Sequence, residues 1–197
     1  MKIDFRWREG DQLKIKNLFL SLKAIRRLRG REGLFVRFLR VLPDFIRKNF
    51  DSQGTRLGSF WPPLSPDYEH AKNLRYPGNQ TLVASGHLRM AATIPNAPGN
   101  WIQWVGNVMT YGVDTTKFKG HYPASHQHGA RIPAREIRAQ RKKALHFWYK
   151  GKEVFCKTAR PGPATIPMRV FMGLANEDID QLAEITANYM TEQIPEE

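Results

Sequence analysis

The sequence predicts an α+β domain in which an antiparallel β-sheet is packed by helices on one side, with a long projecting β-hairpin and N-terminal helices. Two observations lead there. Helical apolar spacing is confined to the two ends of the chain, while the middle is broken into short β-branched and aromatic runs separated by Gly, Pro and Asn. The resulting order of helix, helix, strands, hairpin, strand, helix is that of an α+β fold. A length of 197 residues, 41% hydrophobic with five tryptophans, supports one core domain carrying an arm. We divide it into a basic helical arm over 1–33 and a domain over 34–197 that includes a hairpin over 130–165.

Leu13 to Arg29 spaces Leu18, Leu22, Ile25 and Arg29 by threes and fours, which predicts an amphipathic helix ended by Gly30 and Gly33. Leu34 to Phe50 puts Phe35, Phe38, Leu42, Phe45, Ile46 and Phe50 on one broad face, a core helix that Pro43 is expected to kink or divide. From Asp51 to Pro66, Ser52-Gln53-Gly54-Thr55 and Trp61-Pro62-Pro63-Leu64-Ser65-Pro66 predict a loop that packs an aromatic. A short helix over Tyr68 to Leu74 precedes the Pro77-Gly78 turn, and Gln80 to Met90 reads as helical turns leading into a strand.

Strands are expected over Arg89 to Pro95, Trp101 to Asn107 and Met109 to Val113. Lys143 to Tyr149 and Glu153 to Thr158 flank Lys150-Gly151-Lys152 and predict a β-hairpin. Arg169 to Leu174 is a last strand. Asn176 is expected to cap a helix of Glu177 to Thr191, with Glu177, Asp178 and Asp180 in its first turn and Ile179, Leu182, Ala183, Ile185 and Tyr189 on its apolar face.

The net charge of +13 is unevenly spread. Residues 1–50 hold 14 Lys/Arg against 5 Asp/Glu, residues 51–173 hold 17 against 6, and residues 174–197 hold none against 7. Such polarity suits head-to-tail contact between identical subunits, and equally a solvated acidic helix. Cys156 stands alone, so no disulfide framework or multi-cysteine zinc site is expected, in keeping with a reducing cytoplasm. No apolar run has the length of a membrane span or the form of a signal core, so no membrane partner is expected.

His121, His126 and His128 lie close enough to suggest a metal or a general base, but the nearest carboxylates in sequence are Asp114 and Glu136. No metal, cofactor or catalytic residue is assigned. Without a nucleophile elbow or phosphate-binding loop, an enzyme is not expected, and Gly86, Gly106, Gly112 and Gly129 are read as turn and strand-end residues. The hairpin is strongly basic: Arg135, Arg138, Arg141, Lys142 and Lys143 precede Phe147, Trp148 and Tyr149, and Lys150, Lys152, Lys157 and Arg160 follow. This mixture suits a phosphate backbone with stacked bases, and equally a hairpin held on a neighbouring subunit by its aromatics.

Several motifs, in order, resemble the phage virion morphogenesis (tail completion) family. They are Phe60-Trp61-Pro62-Pro63-Leu64-Ser65 with Tyr68, Leu82-Val83-Ala84-Ser85-Gly86-His87-Leu88, Val105-Gly106 with Tyr111, His126-Gln127-His128-Gly129, and Ile166-Pro167-Met168-Arg169-Val170-Phe171-Met172-Gly173-Leu174. The match runs from about Phe45 to Tyr189, and His128, Met168 and Val170 depart from the usual pattern. The resemblance implies that Tyr111, His126 and Gly129 shape a loop and that Pro167, Arg169 and Phe171 set the last strand. It further implies a subunit that assembles, as a hexameric ring, at the head-proximal end of a tail in the virion neck. Its partners would be copies of itself, tail tube or sheath proteins, head–tail connector proteins, and genomic DNA in the lumen. Assembly would take place in the host cytoplasm. Subunit contacts are accordingly expected at Phe147, Trp148, Tyr149, Arg169, Phe171, Glu177, Asp178 and Asp180, and lumen or partner contacts at Arg135, Arg138, Arg141, Lys142, Lys143, Lys150 and Lys152. A basic nucleic-acid-binding protein using the 135–160 hairpin is the alternative.

Overall fold

The long apolar face read from Leu34 onward forms helix α1, Leu34–Asp51. In the computed structural model, which describes residues 33–105, 108–119, 122–140 and 143–192, Phe35, Phe45, Ile46 and Phe50 of this face are buried, and Phe38 and Leu42 are partly so. Pro43 does not divide the helix. The core grips both ends: Phe35 packs 5.4 Å from Trp104, and Phe50 packs 5.6 Å from both Trp61 and Phe171. Those contacts outweigh the one intrahelical hydrogen bond that proline removes. The expected Leu13 to Arg29 helix and the arm over 1–32 lie outside the described residues.

After α1 the chain turns through a short 3-10 helix, Thr55–Leu57, and buries Trp61 in the predicted loop. Helix α2, Pro66–Arg75, starts on a proline whose missing N–H costs nothing at a helix N-terminus. The run Arg89 to Pro95 is not a strand. His87–Thr93 is helix α3, because Leu88, Ala91 and Ala92 recur at spacings of three and four and bury in one core with Ile46 and Phe50 of α1. Gly86, left-handed at φ 77°, supplies the sharp entry.

The domain is α+β, as the order of elements predicts. Its strands pair as four two-stranded antiparallel ladders among the described residues. Strands β1 (Asn100–Val105) and β2 (Val108–Val113) form one ladder, with Asn100 opposite Val113. Tyr111 and Val113 point into the core beneath α1 and α3, and the Tyr111 hydroxyl donates to Ala92 O at 2.9 Å. Burial pushes that phenol up to about 12.

Beyond the short helix α4, Tyr122–His128, three ladders nest within one another. β3 (Ala130–Ile132) pairs with β8 (Ala164–Ile166), β4 (Ile137–Arg138) with β7 (Thr158–Ala159), and β5 (Leu145–Tyr149) with β6 (Lys152–Cys156). The chain thus runs out and back along an interrupted arm.

Arg169 to Leu174, read as a last strand, joins no ladder. It crosses the core as irregular backbone with a bend at Met172, and side chains supply the hydrogen bonds a partner strand would have made. Gln127 Oε1 accepts from Phe171 N at 3.1 Å and Met172 N at 3.0 Å, and its Nε2 donates to Met172 O at 2.9 Å. Asn49 Nδ2 donates to Phe171 O at 3.2 Å and Gly173 O at 2.8 Å, and Trp61 Nε1 donates to Val170 O at 2.9 Å. The final helix α5, Asn176–Glu192, begins one residue earlier than expected, so Asn176 is not its cap. Asp178 fills that role from inside the first turn, its Oδ2 accepting from Ala175 N at 2.9 Å. Along α5, Tyr189 is buried and Ile179, Leu182 and Ile185 are half-buried, whereas Ala183 faces out. No described helix is long and apolar enough to cross a membrane.

Truncating Asn49 or Gln127 to alanine strands buried carbonyl or amide groups of residues 171–173. Each change should destabilise the domain by about 2–4 kcal/mol in urea unfolding, against roughly 0.5 kcal/mol or less for Asp180→Ala on the exposed face of α5.

Candidate functional site

Charge is the property that distinguishes the arm from helix α5. Along the arm, Arg135, Arg138, Lys143, Lys150 and Lys152 all face solvent, as the sequence suggests, while Arg141 and Lys142 lie outside the described residues. Glu136 neutralises part of this field by pairing with Arg138 and, at 2.8 Å, with Arg160. Arg131, Arg135, Lys143, Lys152 and Lys157 have no carboxylate partner among the described residues, and Arg131 adds an exposed cation beyond those expected from the sequence.

At the tip, Lys150 (φ 51°) and Gly151 (φ 73°) both adopt left-handed backbone, the geometry of a tight two-residue hairpin turn. This turn does not project freely. The Asp67 carboxylate on α2 accepts from Lys150 N at 3.1 Å and Gly151 N at 3.2 Å, and Trp148 packs edge-on against His70 with ring centres 4.3 Å apart. Phe147 and Trp148 are therefore half-buried against their own chain, and Tyr149 remains 56% exposed. A cleft of about 490 Å³ lies between α2 and the tip, lined in part by Tyr68, Leu74, Arg75 and Trp148. On the tip, His146 stacks on Phe155 with ring centres 4.6 Å apart and its Nε2 lies 2.5 Å from Glu153.

Helix α5 supplies the opposite charge. Asp180 and Glu184 are exposed and make no ion pair among the described residues, and Glu177 is exposed while bonding Arg56 Nε at 2.6 Å. Three residues expected on a subunit surface are instead internal. Asp178 is fully buried, where Arg56 grips both its oxygens, Nη1 at 2.8 Å. Phe171 is a core side chain packed on Phe50. Arg169 is buried, donating to Pro62 O and Pro63 O at 2.8 Å each, so it locks the proline-rich loop to the crossing segment. Sequence motifs mark these residues without revealing which way they face. Asp67 and His70 carry no sequence signal, for no local pattern separates them from solvated helix residues. Asn49 carries a readable one, being an amide among the apolar Phe45, Ile46 and Phe50.

His126 shapes the join between α4 and the crossing segment. Its carbonyl accepts from Arg169 N at 2.6 Å, and Arg169 Nη1 lies 3.2 Å from its Nδ1. Burial, and then the Arg169 charge, lower the imidazole to about 4, so it is neutral at pH 7 and its Nδ1 accepts. His128 is exposed, and His121 is outside the described residues. No group of three His, Cys, Asp or Glu able to hold a metal occurs among the described residues. Compared with protein-family models, with curated proteins and with solved structures, the chain matches none.

Because folding depresses the His126 pKa, the unfolded chain takes up this proton first as pH falls. The domain should lose about 2–3 kcal/mol of stability between pH 6.5 and 4, after allowance for partial exposure, and His126→Gln should flatten that slope in pH-resolved thermal melts.

Proposed function

We propose that this chain is a structural subunit that assembles head to tail into a ring, of the kind that completes a bacteriophage tail in the virion neck. The observation that carries the reading is where the quoted motifs go. Residues far apart in sequence bond directly to one another: Trp61 to Val170, Gln127 to residues 171 and 172, Arg169 to Pro62 and Pro63. Motif residues used in this way specify a scaffold. A scaffold with opposite charges on an arm and a helix has the complementarity that repeated contact between copies requires. A hexamer, with DNA passing through the lumen and tail tube, sheath and connector proteins as neighbours, is the form this role takes in the family the motifs resemble. Buried Arg169, Phe171 and Asp178 have no direct part in the contact; Glu177, Asp180 and Glu184 face the arm of the next copy.

Self-association should strengthen with concentration and weaken with salt. Asp180→Lys with Glu184→Lys should raise the midpoint concentration of assembly roughly tenfold or more in sedimentation measurements. Protein that stays monomeric at every concentration and is missing from virions would reject the reading.

The exposed, unpaired arm cations beside the open rings of Tyr149 and Phe155 favour a second reading, a nucleic-acid-binding arm. Single-stranded DNA affinity should then fall steeply with salt. Replacing Arg135, Lys143, Lys150 and Lys152 by alanine should lower the log–log salt slope by roughly 1 for each phosphate no longer neutralised.

A further inference from the structure

The arm tip and its receptor on α2 belong to one chain, yet little beyond their mutual contact obliges them to. The contact is narrow. It consists of the Asp67 carboxylate on two backbone amides and of the Trp148 ring on His70, above an incompletely filled cleft. Phe155 and Tyr149 remain 65% and 56% exposed when the tip is docked, so the apolar surface that undocking uncovers is chiefly that of the half-buried Phe147 and Trp148, which the same site on another copy would cover again. Charge favours the same contact in either setting, because the first turn of α2 carries Asp67 and Glu69, while the tip carries Lys150 in its turn and Lys152 just after it.

The arm also has a break in its pairing. Arg138 pairs with Thr158 and Leu145 with Cys156, so the ladder of β4 with β7 and that of β5 with β6 are separate on either side of Lys157. Apart from the bond from Ala139 N to Lys157 O, no backbone hydrogen bond or strand pair carries the ladder across this break among the described residues. The strand pairs of the hairpin beyond it therefore do not depend on those of β4 and β7.

We propose that on assembly the tip, Leu145–Cys156, exchanges from its own α2 to the α2 of an adjacent copy, where Asp67 and His70 receive it. This rests on the self-assembly reading and gives that contact a specific partner site. Exchange conserves every tip contact, so its enthalpic cost is small, while each transferred arm ties two copies together and brings the open rings of Phe155 and Tyr149 against a neighbour.

The test uses full-length chains lacking the one cysteine through Cys156→Ser. One chain carries His70→Cys and a mass tag, and the other carries Trp148→Cys. They are mixed under assembling conditions and treated with a short bis-maleimide. Exchange predicts covalent pairs of the two different chains on a denaturing gel. A chain bearing both cysteines should bridge internally when dilute and monomeric, which checks that the reagent spans the contact. Oligomers whose double-cysteine chains bridge only within themselves, with no mixed pair, would overturn exchange and leave assembly standing. A chain that forms no oligomer would overturn both.

Discussion

The crossing of the core by residues 169–173 is the constraint on which the rest of the domain depends. A segment without helix or strand inside a protein must have its amides and carbonyls bonded, and here no neighbouring strand does it. Asn49 of α1, Trp61 of the proline-rich loop and Gln127 of α4 do so instead. Each of these elements is thereby fixed to the same few residues. Phe171 and Met172 meanwhile drive their side chains into the cluster of Phe50, Trp61 and Leu88. Polar satisfaction and apolar packing are thus provided by opposite sides of one short segment, and neither works without the other.

A second polar arrangement continues from the first. Arg56 Nη1 approaches Asn49 Oδ1 at 3.4 Å and binds Asp178, and Asp178 in turn accepts from the backbone at the start of α5. A buried carboxylate tolerates this position because the guanidinium and the helix N-terminus both face it. Its fixed place sets the rotation of α5 about its own axis. That rotation turns Ile179, Leu182 and Ile185 inward and leaves Asp180 and Glu184 outward, so an internal ion pair decides where the external acidic surface lies.

The arm obeys different physics. Its ladders of three, two and five paired residues bury little, and two-stranded ladders of this size are marginal alone. It gains order from its root beside Arg169 and from its tip against α2. A segment held at two points and lightly packed between them suits contact with another molecule better than it suits a core.

Amphipathic spacing fixes α1, aromatic and β-branched runs mark β1 and β2, and Lys150-Gly151-Lys152 marks the arm turn at the level of sequence, because helical period, strand composition and turn chemistry are local properties. The same local reasoning misassigns Arg89 to Pro95, since seven residues of mixed apolar character fit either period, and burial against α1 chooses the helix. It also reads Arg169 to Leu174 as a strand, whereas the segment joins no ladder and bends at Met172. Whether such a segment is bonded by a strand or by Asn49, Trp61 and Gln127 depends on groups many residues away. Sequence by itself therefore determined the α+β class, the principal helix and the division of charge between arm and acidic end. Only the tertiary structure decided that Arg169, Phe171 and Asp178 face inward and that the arm tip lies on Asp67, because orientation is settled by packing between distant elements, which no local pattern encodes.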